Sequence, residues 1–393
     1  MTEHFSTRRM TFIHTADWQI GKPYARIADP DKAAKVRRAR LEAIKRIGKL
    51  AAEKGADFVL VAGDVFDSFT AEKSAVSAAC GAIGEIGVPV LAIPGNHDHG
   101  GPGCLWEQDF FLRERESLAP NFRILLEREP LELDTATIFP CPLLRRHESI
   151  DPTDWLRHFG IDTDKPRIVL AHGSVHGFDG GTNDDEDGPL GSPNLIALDR
   201  LPEDLFDYVA LGDWHGTKAV SSRAWYAGTP EIDRFPKGEH NEPGNVLSVT
   251  VERGGLPKVE KIPTGGLGWH VLGFPFASDD DVARLAETLT ERIGNRTGDD
   301  LLHLTLTGSL GIAAATELNA LLDTWRSRLL RLKENNRVRI APTDEEVEEL
   351  TRRAGDPLIA NVAAGLVTDA EGGGEEAEIA SIALRELYAA CSD

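Results

Sequence analysis

Residues 88–98 read VPVLAIPGNHD: an apolar run of strand character gives way at Gly95 to Gly-Asn-His-Asp, a turn carrying oxygen and imidazole donors. The same grammar recurs along the chain. TFIH (11–14) leads to Asp17 and Gln19, FVLVA (58–62) to Gly63-Asp64, RIVLA (167–171) to His172, and DYVAL (207–211) to Gly212-Asp213-Trp214-His215-Gly216. Between the first two runs, Val36, Leu41, Ile44, Ile47 and Leu50 recur at helical spacing within 31–54, and a second helix is expected at about 71–86. This β-α-β-α-β opening predicts an α/β fold, with further strands at 224–227 and 246–251. Loops beyond the carboxyl ends of strands in such sheets line the binding crevice, so the five clusters are expected to converge on one site.

The chain has 393 residues, room for two or three domains at roughly 150 residues each. No stretch approaches the roughly 18 apolar residues of a membrane span, and the polar N-terminus lacks a secretory pattern, so a cytoplasmic protein without a membrane partner is expected. The four cysteines, Cys80, Cys104, Cys141 and Cys391, form no paired motif and read as reduced thiols. The formal charge of -21 argues against a generally basic nucleic-acid surface. It is uneven, however: residues 1–57 hold 13 Lys/Arg against 7 Asp/Glu, and residues 266–393 hold 12 against 23. Lys32, Lys35, Arg37, Arg38 and Arg40 crowd the start of the first helix, as a solvated face or a phosphate contact. A polyanionic substrate would need such local contacts, or bound cations.

Residues 177–193, GFDGGTNDDEDGPLGSP, read as a long acidic surface loop. A Gly- and Pro-rich stretch near 254–268 precedes strand (269–274), helix (279–293), strand (300–307), helix (311–330) and strand (336–340). Residues 343–393 carry two helix-like segments around the Gly-rich run 371–375. The expected organisation is therefore a main domain over 8–265, a smaller α/β domain over 266–342, and a C-terminal helical segment over 343–393.

Taken singly, an Asp or Asn after a strand is usually a turn former or helix cap, and a lone His is usually structural. The set of oxygen and imidazole donors, each beside a small residue, points instead to hard divalent metal ions; no cysteine takes part. The series D-W-Q, G-D-V-F-D, G-N-H-D, H-G and G-D-W-H, in that order, resembles the calcineurin-like metallophosphoesterases. Within them HTADWQIGK, VLVAGDVFDS, VPVLAIPGNHD, FDYVALGDWHG and YAGTPE resemble the SbcD-like nuclease subunit of DNA double-strand-break repair complexes, over about residues 10–240.

The resemblance implies a four-layer αββα sandwich with a capping domain, and two divalent ions, Mn2+ or Mg2+, bridged by Asp64. The first ion would take Asp17, Gln19 and His215; the second Asn96, His172 and Asp213. His97 would protonate the leaving oxygen or stabilise the transition state, with Asp98 either orienting it or serving the turn. Gln19 stands where that nuclease family has a His, weakening the first ion's ligand set, and Asp213 replaces a His in the closing motif, adding a carboxylate beside the second ion. Trp18 and Trp214 flank the site, for base stacking or for packing; His176 is a loop or core residue. The implied activity is metal-dependent hydrolysis of DNA, with an SMC-like coiled-coil ATPase docking on the C-terminal segment and a homodimer as assembly. The alternatives are a phosphatase or phosphodiesterase for small nucleotides or phosphoproteins, and a catalytically weak, partner-binding subunit.

Overall fold

The computed structural model describes residues 9–158, 163–175, 194–202, 205–236, 241–340, 343–353 and 355–391. The acidic loop at 177–193 and His176 lie outside them. The chain forms two compact units, 1–267 and 268–393.

In the first unit the elements run β1 (Met10–Thr15), α1 (Pro30–Lys54), β2 (Val59–Ala62), α2 (Lys73–Gly84), β3 (Val90–Ile93), α3 (Asp109–Leu118), β4 (Phe122–Ile124), β5 (Leu131–Glu132), β6 (Thr137–Cys141), β7 (Arg167–His172), β8 (Ser174–Val175), β9 (Leu195–Ile196), β10 (Tyr208–Gly212), β11 (Lys218–Ala219), β12 (Ala224–Tyr226), β13 (Asn245–Val251) and β14 (Lys258–Pro263). They build two six-stranded sheets, β14-β13-β1-β2-β3-β4 and β11-β12-β10-β7-β6-β5, parallel through β1–β4 and through β6, β7, β10 and β12. Residues alternate between two cores. Val59 and Val61 face α1 to α3, while Leu60 and Ala62 join Phe12, Ile168, Leu170 and Tyr208 in a layer supplied by both sheets. Each such fully buried large side chain contributes about 1.5–3 kcal/mol. The far face of the second sheet is covered by short 3-10 turns, Asp154–His158 and Leu198–Arg200, and by Phe206 rather than by regular helices among the described residues.

Helix α1 starts where Asp29 accepts hydrogen bonds from the amides of Asp31 and Lys32 and Pro30 occupies its first turn, and it stops at Gly55 in the left-handed conformation. Its buried stripe is Ala33, Val36, Arg40, Ala43, Ile44, Ile47 and Ala51. Leu41 and Leu50 lie at the margin. Arg40 therefore departs from the solvated basic face expected of it, whereas Lys35, Arg37 and Arg38 remain exposed.

The last turns of this unit are clamped. The buried carboxylate of Glu231 accepts the amides of Gly266 (2.8 Å) and Leu267 (3.1 Å) and pairs with Arg46 (2.8 Å), while Arg46 also donates to the carbonyl of Thr264.

The second unit contains β15 (Gly268–Phe276), α4 (Asp281–Ile293), β16 (Asp300–Leu310), α5 (Ile312–Arg328), β17 (Arg331–Asn336), β18 (Arg339–Ile340), α6 (Asp344–Thr351), α7 (Pro357–Glu371) and α8 (Glu375–Cys391). β16 is central, parallel to β15, β17 and β18, and its Leu302, Leu304 and Leu306 pack with α4 and α5. The final strand, expected at 336–340, is present as the short β18, and the longer β17 before it was not expected. Its sequence RLKENN is that of an edge strand, whose polar side chains hide the period-two signal. The C-terminal stretch forms three helices rather than two. Leu350, Ala363 and Leu384 enclose Ile312 of α5, and Glu346 caps α5 by accepting the amides of Ile312 and Ala313 at 2.9 and 2.7 Å. Among the described residues no helix is long and apolar enough to cross a membrane.

Candidate metal centre

The site lies where β1, β2, β3, β7 and β10 end. Asp17, Gln19, Asp64 and Asp213 all adopt positive φ, at 53°, 43°, 54° and 105°. Such backbone costs of order 1–3 kcal/mol per residue and persists only where its surroundings enforce it. Here the enforcement is visible: the Asp17 amide bonds the Gly63 carbonyl, the Gln19 amide the Asp64 carbonyl and the Ile20 amide the Val65 carbonyl, so the first two loops zip together.

Asp17, Asp64 and His172 bring one donor atom each within 4.8 Å of one another, all buried. The Asp213 amide donates to the Asp17 carboxylate at 3.2 Å, and Asp213 is itself oriented by the Ser174 hydroxyl at 2.9 Å. The turn that carries Ser174 is pinned by the Tyr226 hydroxyl, which donates to the Gly173 carbonyl and accepts the Val175 amide. His172 Nδ1 donates to the Ala62 carbonyl (2.8 Å), so Nε2 faces the cluster, 2.9 Å from Asn96 Oδ1 and 3.7 Å from Asp64 Oδ1. Burial pushes the His172 pKa down, but Asp64, Asp17 and Asp213 outweigh it and raise it to about 9. Asp17 is pushed up to about 6 by burial, against the pull of His215 and His172.

Gln19 and His215 meet on the other side of Asp17. His215 Nδ1 lies 3.0 Å from Asp233 Oδ2 and 2.8 Å from the Arg234 guanidinium, and its Nε2 lies 3.3 Å from the Gln19 amide nitrogen. Gln19 Oε1 accepts the Lys22 ammonium at 2.8 Å, and Lys22 also reaches Asp233 at 2.9 Å. Burial pushes Asp233 up, but His215, Lys22 and Arg234 hold it well below the usual carboxylate range. Beneath them Arg40 is buried, donating to the carbonyls of Trp18 (2.6 Å) and Asp17 (3.0 Å), the Thr229 hydroxyl and the Tyr24 hydroxyl.

All seven expected ligands thus gather at one place. The donor set fits a divalent ion: carboxylate, amide oxygen and imidazole groups converge, and Nε2 of His172 points an otherwise acceptor-lined position at Asn96 and Asp64. His97 stands beside them. Its amide donates to Asp64 Oδ1 (3.0 Å) and its Nδ1 to the Asp67 carbonyl (2.9 Å). Burial lowers its pKa, yet Asp64 and the Asp67 carbonyl bond raise it on balance.

Asp98 does not orient His97, one of the two roles read for it. Its two carboxylate oxygens accept the amides of Gly95 (2.8 Å) and Phe66 (3.0 Å), tying the third loop to the second, and its pKa is pushed up to about 7 by burial and by Asp64. The orienting group is the Asp67 carbonyl, which sequence reading missed because a backbone acceptor leaves no mark on residue type. Lys22, Asp233 and Arg40 were also missed as site residues. Trp18 is buried with its Nε1 on Thr15 Oγ1, a packing role, and His14 is a neutral core residue bonded to the Tyr208 hydroxyl, its pKa lowered to about 3 by burial.

A family model described as calcineurin-like phosphoesterase matches residues 10–235, well over half the chain and the stretch that contains all seven candidate residues. The chain belongs to that family, whose members hydrolyse phosphoesters with divalent metal ions.

Proposed function

We propose that this calcineurin-like phosphoesterase cleaves phosphodiester bonds of DNA. The observation that carries the reading is the placement of His97 beside the ligand cluster: an imidazole fixed through Nδ1, with a raised pKa, is suited to give a proton from Nε2 to a leaving oxygen near neutral pH. A bound divalent ion supplies charge neutralisation on phosphate oxygens and acidifies the attacking water. Asp64 fixes the His97 backbone, Asp67 fixes its ring, and the Asp17, Asp64 and Asp213 carboxylates would hold the ion. DNA as substrate is supported by the likeness of the five motif stretches to SbcD-like nucleases and by the exposed Lys35, Arg37 and Arg38 on α1, which offer phosphate contacts on an otherwise acidic chain. The same likeness makes an SMC-like ATPase the proposed partner, and Leu358, Val362, Ile379 and Ile382 on the C-terminal helices expose apolar surface for it.

The test is manganese-dependent degradation of end-labelled single- and double-stranded oligonucleotides, run beside a chromogenic phosphodiester and a phosphomonoester. Cleavage of DNA and the diester, abolished in Asp64→Ala, is expected. Turnover dominated by the monoester would favour the small-phosphate reading, to which the net charge of -21 is better suited.

A further inference from the structure

The two halves of the centre differ in how their lone pairs are satisfied. Around His172, the Asn96 and Asp64 Oδ1 acceptors both face Nε2, with the His97 amide the one other donor to Asp64 Oδ1 among the described residues. Around Gln19 and His215 every acceptor already has a protein donor. The Lys22 ammonium occupies Gln19 Oε1, the Gln19 amide nitrogen faces His215 Nε2, and His215 Nδ1 is taken up by Asp233 and Arg234. An ion held by Gln19 and His215 would have to turn the Gln19 amide over and displace Lys22 from both Gln19 and the fully buried Asp233.

Charge points the same way. The Gln19 half holds Lys22, Arg40 and Arg234 around the single carboxylate of Asp233, whereas the His172 half is lined by Asp64, Asp213 and Asp17.

We infer that Lys22 substitutes for an ion in the Asp17–Gln19–His215 half, so that the centre holds a single divalent ion on the Asp17–Asp64–His172 side. The inference rests on the metal-dependent reading above and changes its stoichiometry. Lys22 then presents a point charge beside the bound ion, the form in which lysine meets phosphate oxygens.

The experiment titrates Mn2+ into the metal-free full-length chain, counts bound metal by elemental analysis after desalting, and records the electron paramagnetic resonance spectrum. The wild type is expected to hold about one ion per chain with the hyperfine pattern of isolated Mn2+. Lys22→Met removes the ammonium at similar length and is expected to take up a second ion, giving the spectrum of an exchange-coupled pair about 4 Å apart. Lys22→Arg keeps the charge and is expected to remain at one. A wild type with two coupled ions overturns the inference even if no variant folds, and so does a folded Lys22→Met that stays at one. These outcomes are separable from the substrate question. A chain that holds one ion and leaves DNA intact rejects DNA cleavage alone, and one that cuts DNA with two coupled ions rejects the role of Lys22 alone.

Discussion

Nδ1 of His172 stands 2.2 Å from the point where a Cβ on Gly63 would lie, and Gly63 itself has φ of 86°. The imidazole can reach the Ala62 carbonyl and keep Nε2 toward Asp64 only because residue 63 has no side chain. Gly63→Ala must therefore push the ring away as well as strain the backbone. It is expected to weaken Mn2+ binding by about 10–100-fold, the usual cost of disturbing the groups that orient a metal ligand, read by isothermal titration calorimetry. Unchanged affinity would mean that His172 is not a ligand.

Replacing His97 by Ala keeps the backbone amide that donates to Asp64 and removes only the imidazole. DNA cleavage should fall by about 10²–10⁴-fold while Mn2+ affinity stays within error. Single-turnover cleavage and metal titration on the same preparation check this; loss of both together would make His97 a structural support for the centre.

Protonation of the metal-free protein has a definite sign. Asp17 (about 6) and Asp98 (about 7) lie above their ordinary 3.8, and His172 (about 9) lies above 6.5, so the folded state holds the extra protons. The stability they lend is complete below the ordinary values and is lost as pH rises through the folded ones: from 3.8 to about 7 for the carboxyls and from 6.5 to about 9 for the imidazole. Melting of the chelated protein should fall from about pH 5 to about pH 9, and Mn2+ should restore it most at the alkaline end, because ligation replaces those protons. A melting temperature that climbs over that window contradicts the assignment.

Arg40 is expected to be the costliest single truncation in α1. Arg40→Ala strands the Trp18 and Asp17 carbonyls and the Thr229 hydroxyl in a buried setting, at about 1–3 kcal/mol for each unsatisfied group. Arg37→Ala, on the exposed side of the same helix, should change stability by less than about 0.5 kcal/mol. Urea unfolding of the pair measures the contrast.

The parallel strands were legible because each is an apolar run buried on both faces, and the residue that breaks such a run marks the loop at the site. That is why Asp17, Asp64, His172 and Asp213 could be named from the chain alone. Asp98 and Asp67 show where this reading ends: both flank His97 and both are acidic, yet one carboxylate serves loop amides while the other residue acts through its carbonyl. Lys22 and Asp233, 211 positions apart, acquire their meaning only when two loops meet. β17 escaped because an edge strand need not alternate apolar and polar residues.

The clamp of Glu231 on Gly266 and Leu267 sits two residues from Asp233, the carboxylate that contacts His215 Nδ1. The three residues 231–233 thereby join the last turn of this unit to the Lys22–Gln19–His215 corner through hydrogen bonds at either end.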